Sequence, residues 1–395
     1  MKNSLLAVAV LGAFTSIASA QSSVTLYGRI DQNVTQQDPG KKAAATKFGK
    51  VGKSVTKLQE GNVNGLGGSR LGFKGIEDLG SGLKVFFQLE AQLFPDEGRA
   101  GNSSTLSPAT TTGNPFFSRF AVVGLSHNTL GEIRLGRQES LSRENNVKIN
   151  DISGETNFNI VESLEGAATG GNATRPLFQN FGSRVDNGIR YTTPEYAGFR
   201  ASVIVGLGER LETQVTVTSP LPALPVPVTT ITKAATYRGI GLVYSAGPLA
   251  LDVIYEDLRG GAVGSGDYNN VITAGGSYDF GIAKVATAYQ HTNNLGGQFA
   301  VSSGTGVFKK GTDIDAWNIG VAVPFNAFTF KAQYTGSSIS KANTADLDQS
   351  KYGVSLAYAL SKRTAVYATA TERSGDQRAY FARQSEFALG LAHTF

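Results

Sequence analysis

Charged side chains recur on alternate residues of this sequence, opposite apolar ones. Arg29 and Asp31 stand on one side of an extended segment, and Leu26 and Ile30 stand on the other. Charges confined to one face of a strand can line a water-filled path and sort ions. The same alternation gives further candidates for that face: Arg70, Lys74, Arg184, Asp186 and Arg190.

Catalytic and metal chemistry finds little support in the residue types. The three histidines, His127, His291 and His393, lack any metal-ligand spacing, and the absence of cysteine excludes disulfides and thiolate sites. We therefore expect no metal, no cofactor and no enzymatic activity. A Ser/His/acid hydrolase remains an open alternative, because one sequence cannot show which side chains meet in space.

Charge and the N-terminal residues limit the class of protein. The net charge of +5 comes without any Lys/Arg run, so no nucleic-acid partner is expected. Lys2, the apolar stretch 5–17 and Ala18-Ser19-Ala20 have the order of a secretory signal peptide. We expect residues 1–20 to be removed and residues 21–395 to form one domain. No later stretch is apolar for long enough to predict a transmembrane helix.

The segments that carry these alternating charges are predicted to be β-strands. In "LKVFFQLEAQL", residues 83–93, the large apolar side chains Leu83, Val85, Phe87, Leu89 and Leu93 share one face. Alternating segments of about ten residues are the signature of a transmembrane β-barrel. A soluble β-sandwich or β-helix with the same alternation is the structural alternative.

Connection lengths favour the barrel. Short turns such as 280–281 and 324–327 alternate with long polar loops such as 36–68 and 140–182. An all-β transmembrane antiparallel barrel of about sixteen strands, with short periplasmic turns and long extracellular loops, predicts that alternation. The predicted strands are 24–35, 69–78, 82–93, 117–126, 131–139, 184–193, 198–207, 235–245, 248–257, 270–280, 282–291, 314–323, 326–336, 350–360, 363–373 and 385–395.

The last strand has to close the barrel. In a bilayer every backbone N–H and C=O needs a partner, so a sheet survives there only without free edges. Strand 385–395 should therefore pair with strand 24–35 and turn Leu389 and Leu391 toward lipid. Phe395 then lies in the aromatic girdle at the periplasmic interface.

Several stretches resemble a known family. "SSVTLYGRID", "GSRLGFKGIEDLGSGLKVFFQLE", "LGEIRLGRQ" and the terminal "FALGLAHTF" are similar to strands of the trimeric general porins of Gram-negative outer membranes, in particular their β-proteobacterial branch. The resemblance implies a homotrimer in the outer membrane, in contact with lipid and lipopolysaccharide. It also implies that the outer-membrane assembly machinery recognises the C-terminal strand ending in Phe395.

The resemblance also implies a constriction. The third long loop, 140–182, should fold into the barrel and set Glu144, Asp151 and Glu155 against an inward basic cluster of Arg29, Arg70, Arg137 and Arg184. Alternation with Ile133 and Leu135 would turn Arg137 toward lipid, so we expect a β-bulge at Gly136 to re-aim it. Alternation likewise places Val185 outward. The loop lacks the Pro-(Asp/Glu)-Phe-Gly type of motif usual in the family.

These features predict a general diffusion porin, a passive channel for ions and small hydrophilic solutes. Inward basic residues outnumber the inward acids, which predicts a mild preference for anions. Two alternatives stay open. One is a substrate-specific outer-membrane channel, and the other is a plugged barrel with an adhesive or structural role.

Overall fold

The strands of this protein bury polar side chains and expose apolar ones. In the first strand Asn33 and Thr35 are buried, whereas Val34 between them is 51% exposed. In the last strand Glu386 is buried, while Leu389 is 56% exposed. Such inverted polarity is what a sheet needs when lipid covers one face and a hydrated interior lies behind the other.

The computed structural model describes residues 23–38, 53–62, 64–101, 115–152, 184–208, 233–261, 269–293, 313–340, 346–375 and 384–395. The predicted signal peptide, 1–20, and Glu155 lie outside these residues. The described strands are β1 (Ser23–Asp38), β2 (Val55–Glu60), β3 (Arg70–Gly80), β4 (Leu83–Phe94), β5 (Arg99–Ala100), β6 (Phe120–His127), β7 (Gly131–Glu139), β8 (Arg184–Thr192), β9 (Phe199–Gly206), β10 (Lys233–Ala246), β11 (Leu249–Gly261), β12 (Asn269–Asp279), β13 (Lys284–Asn293), β14 (Asp313–Phe325), β15 (Phe328–Ser340), β16 (Leu347–Ala359), β17 (Thr364–Gly375) and β18 (Ser385–Thr394).

Sixteen of these strands form a closed antiparallel barrel, as predicted. Each wall strand pairs with its neighbours along the chain, and β18 pairs with β1 from Thr394 opposite Arg29 to Ser385 opposite Asp38. Phe395 completes the closure, because its N–H and C=O exchange hydrogen bonds of 3.1 and 3.0 Å with Gly28. Within the described residues, no helix has the length and apolar character needed to cross a membrane.

Two short strands are additions to the sixteen. β5 pairs with Leu93 and Phe94 at the end of β4, and β2 pairs with residues 32–37 of β1. β2 lies inside the stretch 36–68, which the sequence predicts as one long loop. The described part of this stretch therefore adds a short strand beside β1.

A helical segment follows β7. Helix α1 (Leu141–Asn145) continues into one π-helical turn, Asn146–Asn150. Ser140 caps α1, and its hydroxyl accepts a hydrogen bond from the Arg143 N–H at 3.4 Å. This segment is the described beginning of the third long loop.

Candidate functional site

An apolar contact fixes α1 against the barrel wall. Leu141 is buried in a cluster with five wall side chains: Val185, Ile204, Tyr237, Ile254 and Val271. The prediction that Val185 faces lipid is wrong, since its side chain is 1% exposed and packs in this cluster. The cause is an irregularity between β7 and β8, where the register shifts and Asn187 adopts a φ of 52°. Strict alternation fails there.

Hydrogen bonds hold the start of α1 at the same place. The Ser142 N–H donates to Glu256 Oε1 at 3.0 Å, and the Leu141 N–H donates to the Tyr237 hydroxyl at 3.3 Å. The Tyr237 hydroxyl in turn donates to Glu256. A wall carboxylate thus satisfies a backbone N–H that the first turn of a helix leaves unpaired.

Glu144 forms a second attachment of α1. Its carboxylate makes ion pairs with Arg190 on β8 and with Lys148 on the next turn. Burial opposes ionisation of Glu144, but the charges of Arg190 and Lys148 outweigh it and hold its pKa well below the ordinary value. Glu144 and Arg190, both predicted to line the channel, therefore neutralise each other where the loop meets the wall.

Small wall residues leave room for the next part of the loop. A side chain at Gly275 on β12 would collide with Asn150, and a Cβ at Gly320 on β14 would come within 2.7 Å of Ile152 Cγ2. Asn318 Nδ2 also donates to the Asn150 carbonyl at 2.9 Å. The described loop therefore follows the inner wall from β10 to β14.

Asp151 lies at the far end of the described loop, among basic residues that the sequence analysis did not single out. Its side chain is 7% exposed and attracts Lys331 on β15 and Lys351 on β16 electrostatically. Alternation could have found both lysines, because Phe330 and Tyr352 beside them are exposed on the outer face.

Three of the predicted basic residues reach solvent inside the barrel. The Arg70 side chain is 18% exposed and its Nη1 lies 4.0 Å from Glu90 Oε1. Lys74 is exposed, with Nζ 5.3 Å from the centre of the Tyr27 ring. Arg29 is half-buried, and its Nη1 donates to the Leu66 carbonyl at 3.1 Å.

Glu90 is held mainly by residues that the sequence analysis missed. Arg119 makes an ion pair with Glu90 and donates to Gln92 Oε1 at 3.0 Å. The Tyr27 hydroxyl donates to Glu90 Oε2 at 2.8 Å. The predicted strand 117–126 includes Arg119, but alternation with Val123 and Leu125 would turn its side chain outward. The structure instead begins β6 at Phe120 and buries Arg119.

Arg137 and Arg184 are buried and paired. The register between β7 and β8 shifts after Gly136, whose φ is 114°, and Arg137 makes an ion pair with Asp186. Arg184 Nη2 lies 3.1 Å from Glu139 Oε1. Both guanidinium groups neutralise acids of the wall.

The inner surface therefore carries two groups of charged side chains, those held in buried ion pairs and basic ones that reach solvent. Four inward acids, Glu90, Glu139, Glu144 and Asp186, each make an ion pair with an arginine. Arg29, Arg70 and Lys74 keep access to the interior. Asp31 does not oppose them from solvent, because it is fully buried and accepts hydrogen bonds from the Leu66 and Gly67 N–H groups.

Comparisons with known proteins agree with this architecture. The family model described as Gram-negative porin matches residues 7–378. Outer membrane porin protein 32 of Delftia acidovorans is 30% identical over 93% of this chain and 88% of its own length. A second outer membrane porin protein, from Bordetella pertussis, is 27% identical, with both chains covered in full.

Solved structures give the same result. The anion-selective porin from Comamonas acidovorans superposes with a TM-score of 0.67 at 25% identity, over 95% of this chain and all of that one. OmpT of Vibrio cholerae shares the fold, with a TM-score of 0.60 at 14% identity over 96% of this chain and 99% of its own. The closed sixteen-strand barrel, the inward helix after β7 and the family match together show that this chain belongs to the Gram-negative porin family.

Proposed function

We propose that this protein is a general diffusion porin of a Gram-negative outer membrane, and that its water-filled channel prefers anions. One observation carries the proposal. The barrel exposes apolar side chains outside and keeps Arg29, Arg70 and Lys74 accessible inside, while the inward acids beside them make ion pairs. A net positive potential along a hydrated path attracts anions and repels cations.

The relatives support the direction of this preference. The Comamonas protein is described as anion-selective, and its fold matches along nearly the whole chain. Passage itself needs no catalysis, because diffusion through an open channel follows the concentration gradient.

The proposal extends to partners. We infer a homotrimer, since OmpT of Vibrio cholerae, a protein of the same fold, has a trimer form. Lipid and lipopolysaccharide would cover the exposed apolar face, and the assembly machinery would read the C-terminal strand ending in Phe395. Chemical cross-linking of detergent-extracted protein tests the trimer, and a single monomeric band would contradict it.

Replacing Arg70 tests the electrostatic mechanism. Arg70→Gln should lower the anion-to-cation permeability ratio about twofold, because a screened wall charge is worth a few tenths of a kcal/mol. The ratio is measured as the reversal potential across a planar bilayer in a salt gradient. Arg363→Gln removes the same charge from an exposed turn between β16 and β17 and should change the ratio much less. Equal effects of the two variants would remove Arg70 from the selectivity mechanism.

A further inference from the structure

The strand beside β1 is interrupted. β2 pairs with β1 as far as Glu60 opposite Gln32, and β3 resumes the pairing at Arg70 opposite Arg29. Only two residues of β1 lie between these pairs, yet the chain uses residues 61–69 to bridge them. We call the described part of this bridge, residues 61–62 and 64–69, the inner segment.

The inner segment is attached to inward-facing side chains of β1. The Asp31 carboxylate accepts hydrogen bonds from the Leu66 N–H at 2.8 Å and the Gly67 N–H at 3.1 Å. Arg29 donates to the Leu66 carbonyl. Asp31 and Arg29 alternate with Ile30 on the opposite face, so the bridge leaves the wall toward the interior.

The inner segment also reaches across the closing strand. Thr369 Oγ1 on β17 donates to the Asn64 carbonyl at 2.7 Å, although β18 stands between β17 and β1. The inward face of β18 carries Ala388, Gly390 and Ala392, and a side chain at Gly390 would collide with the Tyr367 ring. These small residues leave the space through which Tyr367 and the inner segment meet Asp31.

Glycine makes the close approach possible. A side chain at Gly67 would collide with the Arg29 guanidinium, and one at Gly65 would collide with the backbone of Gly61. The inner segment is therefore folded on itself and against the basic side of the wall. Its Leu66 side chain is only half-buried.

We propose that the inner segment is a second constriction element of the channel, in addition to the loop that follows β7. It narrows the path beside Arg29 and Arg70, and the Leu66 carbonyl fixes where the Arg29 guanidinium points. This inference rests on the proposed function as a channel. It assigns part of the size limit for hydrophilic solutes to residues that precede β3.

Cysteine labelling tests the position of the inner segment. The chain has no cysteine, so Leu66→Cys offers a single thiol to an anionic, water-soluble methanethiosulfonate reagent. Labelling from the aqueous phase should lower the single-channel conductance by about a quarter and reduce the anion preference, because bulk and negative charge enter the path. Leu58→Cys, on the outer face of β2 and 52% exposed, is the matched control and should leave conductance unchanged.

Two results would overturn the proposal. One is complete labelling of Leu66→Cys, checked by mass spectrometry, without a change in conductance. The other is a thiol at residue 66 that reacts only after the porin is unfolded. In both cases an unlabelled protein that conducts leaves the proposed channel function intact, whereas an unlabelled protein without conductance would reject that function itself.

Excision gives a second, independent measurement. Deleting residues 62–68 places Gly61 opposite Asp31 and Ser69 opposite Ile30, which joins β2 and β3 into one strand in register. We expect a conductance about 1.5-fold higher than that of the intact protein.

The milder variant Thr369→Val removes one attachment of the inner segment and should raise open-channel noise. Thr371→Val, on the same face of β17, should not, and equal noise in the two variants would count against the assignment.

Discussion

Arg70 and Arg184 carry the same charge but stand in different surroundings. The Arg70 side chain is 18% exposed and its Nη1 lies 4.0 Å from Glu90, whereas the Arg184 side chain is 5% exposed and its Nη2 lies 3.1 Å from Glu139. A buried, paired charge contributes little to the potential along the channel, because its partner cancels most of its field. Alternation predicts which side of a strand a charge faces, but only the tertiary contacts decide whether an ion in the channel meets it.

Glu144→Gln should loosen α1 from the wall. The substitution leaves the buried Arg190 without its carboxylate partner, which costs about 3 kcal/mol for a buried ion pair. Backbone amides of residues 142–150 should then exchange with solvent up to about 100-fold faster in hydrogen–deuterium exchange. Glu97→Gln removes an exposed partner of Arg99 and should change exchange nowhere in this loop. Unchanged protection in Glu144→Gln would show that the ion pair does not hold the loop.

The same ion pair sets a pH limit. The pKa of Glu144 in the folded protein lies below its ordinary value of 4.5. The ion pair therefore stabilises the docked loop fully above pH 4.5, and this stabilisation is lost as the pH falls from 4.5 toward the lowered pKa. We expect conductance and noise to stay constant from pH 7 to pH 5. Loop-dependent noise should appear only under stronger acid. Noise that begins near pH 6 in the wild type would contradict the depressed pKa.

The strands follow from the sequence and the inner elements do not. All sixteen wall strands appear where alternation predicts them, because lipid and water impose opposite polarity on alternate residues. β2, the inner segment and the wall cluster around Leu141 give no such signal. Their contacts join residues far apart, such as Asn64 and Thr369, and glycine-rich stretches carry no hydrophobic period.

Gly275→Val should displace the loop that follows β7. A branched side chain at this position would collide with Asn150, and the loop can avoid it only by moving into the channel or away from β12. We expect the single-channel conductance to become heterogeneous. Ala274→Val, on the lipid-facing side of the same strand, is the matched control. A single unchanged conductance level in Gly275→Val would mean that the loop does not rest on β12.

Closure gives the whole molecule its stability in lipid. The pairing of β1 with β18 leaves no free edge among the wall strands, and Phe395 supplies its last two hydrogen bonds. The Phe395 ring also packs over Gly28, where any side chain would collide with it. The small side chains on the inner face of β18 thus leave room for the inner segment, and the apolar side chains on its outer face are turned toward the membrane.

Removal of Phe395 should weaken closure. The truncated chain loses both backbone hydrogen bonds to Gly28 and the ring contact, at a cost of about 2 kcal/mol. The folded barrel migrates faster than the unfolded chain in gel samples that have not been boiled, so the gel reports the fraction of folded protein. This fraction should fall at a lower temperature for the truncated chain than for the full chain. Phe116→Ala removes an exposed aromatic side chain outside the closing pair and serves as the control. Equal heat stability of the two variants would argue that closure does not depend on the last residue.

The most direct measurement is the reversal potential of the purified wild-type protein in a planar bilayer under a tenfold salt gradient. An open channel with an accessible basic wall predicts large ohmic conductance steps and a reversal potential of the sign that anion flow produces. The absence of steps would favour a plugged barrel, and block of the steps by one solute would favour a substrate-specific channel. A reversal potential of the opposite sign would contradict the charge distribution that Arg29, Arg70 and Lys74 give to the interior.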